Sequence, residues 1–179
     1  MITTSSLWFS RADCLGDPFE GSTTQQSIVF DSEELGAKGY AIPPLVSQCE
    51  ARKIWRKCLF VNCWHVSKYE SAAMWKCYTR TNESIAIVSD FSRLLTCIEG
   101  EYCVGKVEYV NYVNGIIPSG NQFNYLLRKQ QSYEHEKEVR AVFWDSKAMC
   151  EHMSARPSLD EVGTPVGYLS VRPETFRVI

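Results

Sequence analysis

The stretch Leu59-Phe60-Val61-Asn62-Cys63-Trp64 constrains this chain more than any other, because only Asn62 interrupts its apolar character. A half-exposed strand alternates apolar and polar residues, whereas a run like this one is a strand largely buried on both faces. The period then changes. Ser67-Lys68-Tyr69-Glu70 has capping-box spacing, with Ser67 placed to accept from the Glu70 N–H and the Glu70 carboxylate placed to reach back. The helix predicted next puts Ser71, Trp75 and Tyr78 along one face and Ala73, Met74 and Cys77 along the adjacent one. A buried strand feeding a capped helix is the unit around which the remaining segments are arranged.

Upstream, Leu7 to Ser10 reads as a short strand running into a charged turn, Asp17-Pro18-Phe19-Glu20-Gly21. That loop has two readings: a surface turn with Phe19 plugging the core, or a pocket mouth lined by Arg11, Asp13, Asp17 and Glu20. Residues 22–46 lack a clear period, and Gly36, Gly39, Pro43 and Pro44 predict an irregular connection or lid. A second capping box, Ser47 to Glu50, opens an amphipathic helix with Ala51, Ile54, Trp55 and Cys58 inward. Its other face carries Arg52, Lys53, Arg56 and Lys57, which fit either a solvated surface or a phosphate-facing patch.

Downstream, Ser84 to Ser89 is a predicted strand, and Asp90 caps a helix presenting Phe91, Leu94, Leu95 and Ile98. Tyr102 to Val110 reads as one long strand, Asn114-Gly115 as a turn, and Gln122 to Gln131 as a polar helix. In Val139 to Trp144, period two places Glu138, Arg140 and Val142 on one face and Val139, Ala141 and Phe143 on the other. A carboxylate and a guanidinium side by side near a strand end are either a structural ion pair or part of a site. A short helix around Met149, a boundary at Pro157 and Pro165, and late strands at 167–171 and 176–179 complete the chain. The expected class is α+β: a single domain over 1–179 with a mixed, mainly antiparallel sheet and flanking helices.

The 179 residues suffice to bury about 70% of the unfolded surface without staples. A net charge of -2 argues against a broad basic nucleic-acid surface and leaves room for a local basic patch. No run approaches the ~18 apolar residues of a membrane span, and the N-terminus lacks the pattern of a secretory signal, so a cytoplasmic protein is expected. Eight cysteines, mostly inside apolar segments, then read as reduced structural thiols. No pair has zinc-ligand spacing, so no metal site is assigned. Two further chemistries are weighed from the residues: a metal held by Asp13, Asp17, Glu136 and Glu138, and a nucleophilic pair of Cys63 and His65, which share a strand face.

Three segments together resemble a bacterial and phage domain family of unknown function. They are Leu7-Trp8-Phe9-Ser10 with Asp17-Pro18-Phe19-Glu20-Gly21; Cys63-Trp64-His65 with Glu70-Ser71, Met74-Trp75 and Tyr78; and Lys129 with Tyr133-Glu134, Glu136, Glu138 and Arg140. Their order also resembles, remotely, the ADP-ribosyltransferases, especially those that modify DNA. That resemblance implies NAD as cofactor and a role in phage–host conflict. It implies Glu138 as the catalytic glutamate, Tyr78 or Trp75 as the middle aromatic and Arg11 as the early polar residue. Trp75 would stack nicotinamide, and Arg11 or Lys129, with Arg140 nearby, would hold the rest of the nucleotide. The alternative is a non-catalytic module that binds a macromolecular partner, protein or nucleic acid, with the tryptophans in its core.

Overall fold

The computed structural model describes residues 6–40, 45–79, 83–98, 102–149, 168–170 and 177–178, of which 45–49, 168–170 and 177–178 are described by backbone alone. The predicted boundary at Pro157 and Pro165 lies outside these residues. In chain order the elements are β1 (Ser6–Trp8), β2 (Ser10–Arg11), α1 (Gln25–Ala37), α2 (Leu45–Cys58), β3 (Leu59–His65), α3 (Ala72–Tyr78) and β4 (Ile87–Val88). They continue with α4 (Phe91–Cys97), β5 (Tyr102–Lys106), β6 (Glu108–Val110), β7 (Arg128–Gln130), β8 (Glu138–Trp144), β9 (Tyr168–Ser170) and β10 (Arg177–Val178).

The strand expected to be buried is so only over Leu59–Val61; Asn62 to His65 are half-buried or exposed. β3 lies inside an antiparallel sheet ordered β2-β3-β8-β5, paired with β8 from Leu59↔Trp144 to His65↔Glu138. Both faces of this sheet are covered, so neither strand alternates in burial. Phe60 and Ala141 face a core with Leu7, Phe9, Leu94, Cys97 and Ile98, brought by β1 and α4. Val61 and Val142 face a second core with Ala12, Leu59 and Leu126. Glu138 and Arg140 share that second face, as period two demands, and both are buried.

Three small sheets complete the α+β architecture: β1-β9, β10-β4 and the parallel pair β6-β7. The single strand predicted over Tyr102 to Val110 is divided at Val107. That residue donates its N–H to the Glu138 carbonyl, after which Glu108 turns to Leu127 and the chain pairs with β7 instead of β8. The same pairing overturns the helix expected over Gln122 to Gln131, which is a 3₁₀ turn (Gln122–Tyr125), β7 and the start of a second 3₁₀ turn (Gln131–Glu136).

The irregular connection expected over 22–46 contains α1. Thr24 caps it by accepting from Ser27 N–H, and Ser27 is wholly buried with its hydroxyl accepting from Ile117 N–H. This helix is anchored through polar groups, so it leaves no apolar period to read. α2 begins at Leu45, ahead of the expected capping box, and runs directly into β3. α3 starts one turn later than expected, because Ser67 spends its hydroxyl on the Tyr69 N–H and Ser71 caps the helix by accepting from Met74 N–H. Among the described residues no helix is long and apolar enough to cross a membrane.

Candidate functional site

β2 is only two residues long and pairs with β3 at Phe60 and Val61. Beyond that point β3 pairs on this side with no strand among the described residues, and its edge from Asn62 to His65 opens onto a cavity of about 810 Å³. The volume lies within the range of about 300–1,000 Å³ usual for small-molecule sites. The 67–71 loop and α3 form one wall, the 84–89 segment another, and the end of β8 the floor. Trp64, Trp75, Tyr78 and Met74 make it largely apolar and aromatic, with His65, Lys68, Glu70 and Glu138 among its polar lining.

Beneath Glu138 lies a buried charge cluster. Lys129 Nζ donates to Glu136 Oε2 at 2.5 Å and to Glu138 Oε1 at 3.0 Å, and lies 3.2 Å from Glu20 Oε1. Arg140 Nε donates to Glu138 Oε2 at 2.5 Å, its Nη1 to the Leu126 carbonyl at 2.8 Å, and its Nη2 to Glu20 Oε1. Glu20 brings the 17–21 loop into this network at 2% exposure. Three carboxyl groups face two cations, so full ionisation would leave one surplus negative charge. Of the pair Glu136 and Glu138, Glu136 holds a proton the more readily. Burial, together with its hydrogen bond to Glu138, raises Glu136 to about 7. For Glu138, burial alone would act upward, but the hydrogen bond from Glu136 and the charges of Arg140 and Lys129 lower it to about 2. The carboxylate at the cavity floor is therefore ionised and held in place at neutral pH.

His65 pairs with Glu138 across the sheet, and its Nδ1 lies 2.6 Å from the Glu136 carbonyl. A carbonyl only accepts, so Nδ1 carries a proton, and in the neutral tautomer this leaves Nε2 as an acceptor. Tyr78 is 65% exposed, yet desolvation at the cavity wall, with the charges of Glu136 and Glu138, pushes its hydroxyl up to about 12. It remains a donor. Cys63 faces the cavity, and desolvation pushes its thiol up to about 12, which removes the thiolate that a Cys63 and His65 nucleophile pair would need.

The structure thus brings Glu138, Trp75 and Tyr78 to one cavity and leaves three other expected residues elsewhere. Arg11 does not line it; its Nε donates to Asp13 at 2.6 Å. Lys129 and Arg140 are buried and committed to carboxylates, so neither is available to grip a nucleotide pyrophosphate. The expected metal cluster does not assemble either. Asp13 is taken by Arg11, Asp17 accepts from Phe19 N–H within its own loop, and Glu136 and Glu138 are bound by Lys129. Among the described residues no group of three or more His, Cys, Asp or Glu is placed to hold a metal. In the sequence Glu20, Glu136 and His65 belong to three unconnected readings, a pocket-mouth loop, a metal set and a pair with Cys63; their convergence depends on the long-range pairing of β3 with β8.

No known family model, curated protein or solved structure matches the chain. The functional reading rests on this geometry.

Proposed function

We propose that the cavity is the active site of an ADP-ribosyltransferase-like enzyme that takes the nicotinamide–ribose end of NAD. The observation that carries this reading is the convergence of Trp75, Tyr78, His65 and an ionised Glu138 on one cavity of about 810 Å³. The aromatic walls suit a flat heterocycle. Breaking the nicotinamide–ribose bond sends the bonding electron pair to nicotinamide and leaves positive charge on the sugar. A fixed carboxylate stabilises that charge more in the transition state than in the ground state. Lys129, Arg140 and the hydrogen bond from Glu136 take three of the roughly four acceptor positions of Glu138 and leave one for a ribose hydroxyl. His65 Nε2 accepts the proton of the acceptor nucleophile as the new bond to ribose forms. The acceptor is a macromolecule approaching over the exposed rim at Tyr69 and Ile85.

The test is nicotinamide release from NAD by the purified protein, with cell lysate as the source of acceptor. Trp75→Ala and Tyr78→Ala leave the charge cluster untouched and are expected to abolish release with folding intact. Glu138→Gln is expected to lower it about a hundredfold or more, in protein shown by near-ultraviolet circular dichroism to be folded. One observation favours a second reading, a non-catalytic partner-binding module: both Glu138 oxygens are already engaged by cations. Absence of release with lysate present, and of any tryptophan-fluorescence change on adding NAD, would select that reading.

A further inference from the structure

The basic face of α2 holds a second feature, independent of the cavity. Among the described arginines, Arg11, Arg93, Arg128 and Arg140 each have a carboxylate within salt-bridge distance. Arg52 and Arg56, one helical turn apart, have none. Both are nevertheless held in place, Arg52 by a hydrogen bond to the Tyr125 side chain as well as by its ring, Arg56 by packing. The Arg52 guanidinium lies 5.3 Å from the centroid of the Tyr125 ring. The Arg56 stem runs along Gly21, where an added Cβ would stand 3.0 Å from its Cγ and 3.2 Å from its Cδ. Gly21 closes the same loop that supplies Glu20, and its φ of 71° together with this close approach requires glycine.

Arg52 and Arg56 line a small depression whose remaining walls are the apolar Trp55, Leu59 and Leu126 with Gly21, Gln122 and Tyr125; its volume is about 10 Å³, enough to seat one oxygen. The Arg56 Nε is buried and has no hydrogen-bond partner. A buried charged donor without an acceptor is costly, and two pre-oriented cations without a counter-ion are unusual beside carboxylates that are otherwise engaged. Asp31, whose charge reaches Tyr125, accepts from the Ser119 hydroxyl and pairs with neither arginine. We propose that Arg52 and Arg56 form a phosphate-binding site, with one phosphate oxygen in the depression at Arg56 Nε and the group spanning both guanidiniums. Planar guanidinium donors match such an oxyanion. The site shares no lining residue with the large cavity and does not depend on its proposed chemistry.

Thermal unfolding of the full chain in sodium phosphate, against sodium chloride at matched ionic strength, reads this directly, because a ligand bound only by the folded state raises the midpoint. Phenyl phosphate forms a second arm, separating a site for the free ion from one for a phosphate ester; a shift in either arm supports the proposal. Arg52→Gln and Arg56→Gln are each expected to weaken phosphate binding about tenfold or more, whereas Lys53→Gln, an equal charge change on an exposed neighbour, leaves it within about twofold. Absence of a phosphate-specific shift in either arm, or an equal loss in Lys53→Gln, overturns the assignment.

Discussion

Replacing Glu20 by Gln removes the only carboxylate that the 17–21 loop contributes to the charge cluster. Its Oε1 receives Arg140 Nη2 and lies 3.2 Å from Lys129 Nζ, at 2% exposure. Breaking a buried pair costs about 3–5 kcal/mol, because the cation left behind has no water to return to. Two features place this case at the lower end. The glutamine carbonyl still accepts from Arg140, and with Glu20 neutral the surplus negative charge disappears, so Glu136 can ionise and restore balance. A loss of about 3 kcal/mol corresponds to a midpoint lowered by roughly 6–12 °C in a chain of this size. The assay is thermal unfolding followed by circular dichroism, with Glu34→Gln as control. Glu34 pairs with Lys38 while both are about half exposed, which limits its effect to about 0.5 kcal/mol. If the two variants melted within about 1 °C of each other, the cluster would not be the dry, rigid network described here.

The Glu136 and Glu138 pair predicts a pH profile with a maximum. Glu136 is raised from 4.5 to about 7, so its contribution is full below about 4.5 and is lost as pH rises towards 7. Glu138 is lowered from 4.5 to about 2, so its contribution is full above about 4.5 and is lost as pH falls towards 2. Urea unfolding should show stability declining between pH 5 and 8 through this pair, and Glu136→Gln should flatten the decline; a wild-type stability that rises over this interval contradicts the assignment. Thr24→Val should cost about 2 kcal/mol, since it strands the Ser27 N–H and the Gly115 carbonyl at the start of α1; a midpoint unchanged in differential scanning calorimetry would refute that anchoring. Gly105→Ala places a Cβ 2.6 Å from Leu127 Cδ1 and should cost about 1–3 kcal/mol, part of which returns in a double variant with Leu127→Ala; purely additive losses would show that the two positions do not clash.

How far the chain can be read without its structure differs between elements. β3 and β8 are evident because burial of both sheet faces demands an unbroken apolar run in one and a distinctive face assignment in the other. α1 is not, because Thr24, Ser27 and Ile117 hold it by hydrogen bonds between groups about 90 residues apart. The boundary of α3 escapes for a local reason: Ser67 and Ser71 are both competent caps, and only the path of the loop between them chooses Ser71.

The site divides along the same line. Strand period alone puts Glu138 and Arg140 on one face, and helical period puts Trp75 and Tyr78 on another, so the sequence by itself determined which residues travel together. Which of them line the cavity was decided by tertiary structure. β2 stops after two residues and leaves the β3 edge to the cavity, while Glu20 arrives from the 17–21 loop to pair with Arg140, and Lys129 and Glu136, from β7 and the turn after it, hold Glu138. Lys129 and Arg140 look in the sequence like cations free for a phosphate, and burial commits them instead to carboxylates. Charge neutrality inside a low-dielectric core depends on every group within a few ångströms, whatever its distance along the chain, and only the folded chain brings those groups together.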